Sequence, residues 1–242
     1  MAAPLNFSST SQAFFGGVKA ALSSVFLFVI GGTYVGIGAL AHDFGFSAGW
    51  MALSTVLVWA GPAQVILISA LGSGSPLAET ALAVSLTGVR LLPMVVALLP
   101  LLRAEETRLR ALLLPTHLTS VSMWVESLRL LPAIAREHRI AFCNGVALGL
   151  VGVAVVFGHA GFYLAAGLPP LFAGGLLFLT PISFLLSTAR NARALVDKLS
   201  LLFGLALAPL LAVQHVQLDL MWSGVIGGTL AYGINRLREA VS

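Results

Sequence analysis

The chain is a succession of long apolar runs, which constrain what it can fold into more than any other feature. Segments at about 17 to 41, 46 to 72, 76 to 101, 111 to 131, 140 to 157, 170 to 188, 198 to 213 and 219 to 237 read as helical and are separated by Gly, Pro or charge clusters. A helix of roughly 20 apolar residues crosses the hydrocarbon of a bilayer. Inside lipid every backbone amide and carbonyl needs an internal partner, which only helices and closed barrels supply. The runs lack the dyad alternation of a transmembrane barrel. The sequence therefore predicts an all-α fold, a polytopic transmembrane helical bundle with broken helices, as one integral membrane domain over residues 1–242.

Composition agrees. Hydrophobic residues make up 58% of the chain and charged residues only 9%, against about 25% charged in a soluble domain. With 13 basic and 9 acidic residues there is too little polar matter to cover a soluble globule. A soluble globular enzyme is excluded, and any chemistry must sit inside the membrane. At roughly 20 residues per crossing the length allows about seven crossings with short loops. The net charge of +4 comes from Arg clusters beside apolar runs and reports topology; nucleic acid is discounted as a partner. A single cysteine, Cys143, rules out an internal disulfide, a thiolate metal cluster and a CxxC pair, and reads as a packing residue. The first residues carry no basic region before the first apolar run, so no cleaved signal peptide is expected.

Lys and Arg fall in four clusters: Arg103, Arg108 and Arg110; Arg129, Arg136 and Arg139; Arg190, Arg193 and Lys198; Arg236 and Arg238. These should be cytoplasmic, and with them the C-terminus. The loops around Gly45, Gly74, Gly161 and Gln214 hold no Lys or Arg, which fits the opposite side for most of them. Residues 111 to 131 then enter and leave on one side. Two short crossings or a re-entrant helix would satisfy this. Lys19 alone does not place the N-terminus.

Trp59-Ala60-Gly61-Pro62 interrupts one segment near its middle, Pro93 and Pro100 kink the next, and Pro115 opens the segment that does not cross. Discontinuous helices expose backbone donors and acceptors at depth, which transporters use to hold substrates. Proline is also common in membrane helices without any such role. Gly32 and Gly36, Gly145 and Gly149, and Gly224 and Gly228 form GxxxG pairs, expected to be packing faces within the chain or against a second subunit.

Arg90 lies about halfway along its apolar segment and is costly there unless it faces a polar interior. It suits a fork binding a substrate carboxylate; the structural alternative is an ion pair with Glu79 or Glu126. Gln64 follows the Gly61-Pro62 break, in the first turn of a restarting half-helix where an anionic group is favoured; the alternative is an interhelical hydrogen bond. Thr116, Thr119, Ser120, Met123, Glu126 and Ser127 form one polar stripe, with Leu118, Val121, Val125 and Leu128 opposite. The stripe should face a cavity or the bundle interior, or else belong to an amphipathic helix at the interface. His117, His159 and His215 lack metal-ligand spacing, no HExxH or GxSxG occurs, and no metal, cofactor or enzyme activity is expected. Asn144 and Asn191 read as cap or interhelical bonding residues.

The stretch Val35-Gly36-Ile37-Gly38 through Gly45-Phe46-Ser47, then Trp59-Ala60-Gly61-Pro62-Ala63-Gln64-Val65, then Val89-Arg90, resembles the AzlC or YgaZ-like family, the large subunits of branched-chain amino acid exporters. Phe178-Leu179-Thr180-Pro181 with Phe184 is similar to the family's later Pro-containing helix. The chain departs from the family where Leu-Thr-Asp-Glu is usual: it has Leu118-Thr119-Ser120-Val121, without either acid. Leu91 follows Arg90 where His is frequent, and Ser23-Ser24 replaces a Leu-Pro pair. The resemblance implies a permease in a prokaryotic inner membrane, a secondary exporter of branched-chain or other hydrophobic amino acids with a small AzlD-like membrane subunit. Arg90, Gln64, Gly61, Thr119 and Ser120 would bind substrate. Coupling would then have moved to Glu126, or be absent with Glu126 paired to Arg129 or Arg136. The other reading is a non-transporting membrane scaffold or assembly subunit that keeps the fold.

Overall fold

The structure is a computed structural model that describes residues 7–104, 107–167, 194–214 and 219–241, and the single residues 169, 182, 185, 189 and 192. The expected helix at 170 to 188, the Phe178 to Phe184 stretch, Arg190, Asn191, Arg193 and His215 fall outside the described residues or at isolated positions among them. All regular structure in the described residues is helical. The chain forms two compact units, Met1–Thr180 and Pro181–Ser242.

The post of the first unit is a long helix, Arg139–Gly167, buried along much of its length. With the preceding turn it is one of four helices among the described residues that are long and apolar enough to cross a membrane, beside Phe26–Asp43, Leu77–Leu102 and Leu195–Val213. Helices α1 (Thr10–Ser23) and α2 (Phe26–Asp43) lie along the post. Ser9 starts α1, its hydroxyl accepting the Gln12 amide at 3.2 Å. Ser24, in extended conformation, ends it. Glycines set the approach: a Cβ on Gly17 would strike the Phe142 carbonyl, one on Gly145 the Phe14 carbonyl, one on Gly38 the Gly158 carbonyl and one on Gly161 the Val35 carbonyl. Gly145 faces Phe14 and Val18 while Gly149 faces Val18 and Ala21, and Gly31 faces Phe157 while Gly38 faces Gly158 and Phe162. The contacts advance in the same sense on both sides, so α1 and α2 run parallel to the post. Residues near Thr10 sit at its Arg139 end and Phe44 at its Gly167 end, where the His42 and Phe162 rings meet edge to face.

Two pairs of half-helices fill the remainder. In the first, α3 (Ala48–Val58) and α4 (Gly61–Gly72) reverse at Trp59-Ala60. Ser47 caps α3 and Pro62 opens α4, where a missing amide costs nothing. The pair leaves from Phe44 and returns to it, since a Cβ on Gly72 would strike the Phe44 ring. The turns at either end use Gly45 and Gly74 at φ +74 and +80, conformations open to glycine. Helix α5 (Leu77–Gly88) then folds back on α4. It continues through a 3-10 turn, Val89–Leu91, into α6 (Leu92–Leu102), reaching the Arg139 end, where Arg139 Nη1 donates to the Leu101 carbonyl at 3.1 Å. The 3-10 turn belongs to Pro93, which cannot donate to the preceding turn.

In the second pair, α7 (Leu109–His117) and α8 (Val121–Leu130) reverse at Leu118-Thr119-Ser120. This pair starts and ends at the Arg139 end: Ser127 Oγ lies 3.4 Å from Cys143 Sγ, and Arg139 Nε donates to the Ile134 carbonyl at 2.9 Å. Residues 111 to 131 thus form a helical hairpin whose ends lie together, with arms of 9 and 10 residues that are each too short to cross a bilayer. Pro115 stands in the last turn of α7 instead of opening the segment, and Gly161 lies inside the post, which we number α9, instead of in a loop.

In the second unit α10 (Leu195–Val213) and α11 (Asp219–Val241) pack against each other, with Gly227 facing Phe203 and Gly204. Of the three GxxxG pairs, Gly145 and Gly149 pack against α1, whereas Gly32, Gly224 and Gly228 have no atom within 4 Å of an added Cβ.

Candidate functional site: a junction of two re-entrant tips

The two hairpins enter from opposite ends of the first unit and meet. At 1.5 Å per residue α3 reaches in about 16 Å and α7 about 13 Å, together about 30 Å, the thickness of the hydrocarbon. The indole nitrogen of Trp59 donates to the Leu118 carbonyl at 2.9 Å, and His117 Nε2 lies 3.1 Å from the Val56 carbonyl. Trp59 holds φ +25, the one positive φ outside glycine among the described residues. Such a conformation persists where the surroundings impose it. The Trp59 ring stacks on the Tyr34 ring of α2 with centroids 6.0 Å apart.

Four helix termini converge on this junction. Helices α3 and α7 end there, leaving carbonyls without helical partners, and α4 and α8 begin there, leaving amides without them. The macrodipole makes the former a negative pole and the latter a positive one. The junction therefore offers opposite poles at one depth, in a chain with few ionisable residues.

Gln64 is fully buried in the first turn of α4. Its Nε2 lies 2.9 Å from both Ser54 Oγ and Thr55 Oγ1 and 3.3 Å from the Met51 carbonyl, binding α4 back to α3. The interhelical bond expected as the alternative is thus present. Its Oε1 is also buried and has no hydrogen-bond partner among the described residues. Gly61 is the first residue of α4.

On the second hairpin the polar stripe turns inward: Thr119, Met123, Glu126 and Ser127 are buried, while Val121 and Val125 are exposed. Leu118, expected on the apolar side, is buried as well, because the helix breaks there and the residue turns into the junction. The Thr119 hydroxyl donates to the Pro115 carbonyl at 2.8 Å, and Ser120 caps α8 by accepting the Met123 amide at 3.4 Å. The hairpin brings both to its tip.

Arg90 lies in the 3-10 turn, on the rod whose halves pack against α4 and α8, and so stands level with the two tips. Its side chain is exposed and makes no hydrogen bond or ion pair among the described residues; the alternative pairs with Glu79 and Glu126 are not formed. Glu126 is held by Arg129, whose Nε and Nη2 reach Oε2 at 2.9 and 2.6 Å. Its side chain is 5% exposed and that of Arg129 62%, so the pair spans from the interior to the surface.

Sequence reasoning does not mark Trp59, His117, Tyr34, Ser54 or Thr55 as binding residues. Ser54 and Thr55 do leave a signal, as adjacent hydroxyls in an apolar run nine and ten residues before Gln64. No group of His, Cys, Asp and Glu among the described residues could hold a metal ion.

A family description, AzlC protein, matches residues 11–168. The chain belongs to the AzlC family. The match runs from α1 to the end of α9 and takes in both re-entrant hairpins. Comparison with curated proteins and with solved structures finds no match. Family and apolar helices together make this a multi-pass membrane protein with a role in transport.

Proposed function

We propose that this AzlC protein is a permease, a secondary exporter of branched-chain or other small hydrophobic amino acids. The observation that carries the reading is the meeting of two opposed re-entrant tips, Trp59 to Leu118 at 2.9 Å. An amino acid is a zwitterion. Its ammonium suits the carbonyl ends of α3 and α7, with the buried Gln64 Oε1, unpartnered among the described residues, as a further acceptor, and its carboxylate suits the amide ends of α4 and α8. Gly61, Thr119 and Ser120 frame those ends. Arg90, unpaired and level with them, supplies the carboxylate with a planar fork. Apolar side chains around the junction would select a hydrophobic substrate.

The rod Leu77–Leu102 supports a partner: only 6% of its apolar window is buried, yet it carries Arg90 at mid-length. A small AzlD-like membrane subunit would cover it. Positive-inside logic puts the Arg139 end, with Arg103 to Arg110, in the cytoplasm of a prokaryotic cell, with the inner membrane as the location and the C-terminus on the same side. Glu126 is the remaining candidate for coupling, already neutralised by Arg129.

The test is efflux and exchange of labelled Leu, Ile, Val and Met in vesicles holding this chain with and without its small subunit. Saturable exchange that fails in Arg90→Ala is expected. No exchange of any of the four by correctly inserted protein with the subunit present would overturn the reading and favour a scaffold.

A further inference from the structure

The imidazole of His117 stands where two negative poles meet. It is the last residue of α7, and its Nε2 lies 3.1 Å from the carbonyl of Val56, in the last turn of α3. Its Nδ1 has no hydrogen bond among the described residues, and the residue is exposed. Of the two cross-links between the hairpins, the Trp59 indole cannot titrate and the His117 imidazole can.

We propose that His117 is a proton-binding site that ties the separation of the two hairpins to pH. Protonated, the ring keeps an N–H toward Val56 whatever its orientation, and the bond becomes charge-assisted, roughly twice as strong as a neutral one. Both helix C-termini add attraction for the positive ring. When the proton leaves to water, one neutral tautomer keeps an ordinary bond and the other places a bare nitrogen against the carbonyl oxygen, which repels it. Protonation thus tightens this link between the tips, and proton loss loosens it while the Trp59 bond stays in place.

Few other titratable groups compete. Helices α3 and α4 have none. Helix α7 has only Arg110, two turns earlier. On α8, Glu126 and Arg129 are paired with each other. Helix α9 carries Arg139, Cys143, His159 and Tyr163, and α2 carries Tyr34, His42 and Asp43; α5 and α6 add Glu79 and Arg90, and α1 adds Lys19. None of these is bonded to His117 in the structure.

This inference rests on the transport reading only for its biological use, and the experiment separates the two. The full chain in lipid vesicles, with Cys143→Ala, carries spin labels at Leu57 and Leu113, which are 60% and 67% exposed on α3 and α7. The label distance is measured between about pH 5 and pH 8, the window in which histidine changes charge. We expect a shorter distance at low pH than at high pH in the His117 protein and no shift in His117→Gln, whose amide nitrogen replaces Nε2 but does not titrate there. Amino acid exchange, where present, should lose its pH dependence in the same variant. A distance independent of pH in the His117 protein overturns the proposal without recourse to any variant, as does an undiminished shift in His117→Gln or His117→Asn. A pH-dependent distance without exchange of any amino acid would sink the transport reading and leave the proton site standing.

Discussion

The indole N–H of Trp59 and the carbonyl of Leu118 join two helix breaks that face each other from opposite ends of the first unit, 2.9 Å apart and buried. Neither group has another partner of this kind at the tip. Trp59→Phe keeps the ring over Tyr34 but strands a buried carbonyl, which costs about 1–3 kcal/mol. We expect a loss of thermal stability of that order and a fall in exchange, read by unfolding in detergent and by vesicle assay. Unchanged values for both would mean that the tips do not depend on this bond.

The hairpins make a topological prediction. With Cys143 replaced, single cysteines at Ala104 and Ala135 should be labelled from one side of the membrane, and one at Ser73 from the other. The first two flank α7 and α8, and Ser73 ends α4 beside Phe44. Labelling of Ala104 and Ala135 from opposite sides would contradict a re-entrant second hairpin.

Much of this was legible in the chain. The apolar runs located the helices, and the Arg clusters around 103 to 110 and 129 to 139 required residues 111 to 131 to return. The same reasoning applies to the loops at Gly45 and Gly74, both without Lys or Arg, and would have returned residues 46 to 72 as well. There the Gly-Pro break read as an interruption within one segment, since an interrupted helix and a reversal share that signature. Arg90 and Gln64 stood out by depth. What remained hidden was contact across the fold. Neither an indole meeting a carbonyl 59 residues on nor His117 meeting Val56 leaves any periodicity in sequence.

The helix post makes its own prediction. Gly38→Ala puts a methyl group onto the Gly158 carbonyl, where backbone and not a flexible side chain must yield. Overpacking of this kind costs about 1–3 kcal/mol. Gly32→Ala, nearly two turns away with open space around it, should be close to neutral. Comparing the melting temperatures of the two variants in detergent checks the contrast, and equal losses would place α2 elsewhere on α9.

Glu126 decides between two carriers of coupling. Its carboxylate is buried and receives both Arg129 contacts on one oxygen, while Arg129 itself is largely exposed. An arginine so exposed is screened and adds about 0–1 kcal/mol to a pair, and Glu126→Gln exchanges the carboxylate for a neutral amide able to bond the same neighbours. We therefore expect Glu126→Gln to fold, to retain exchange, and to retain the pH dependence that His117→Gln loses. Measuring exchange against pH in both variants separates the roles. Loss of pH dependence in Glu126→Gln, with His117→Gln unaffected, would return coupling to the carboxylate of the second hairpin and make the His117 bond to Val56 a purely structural link.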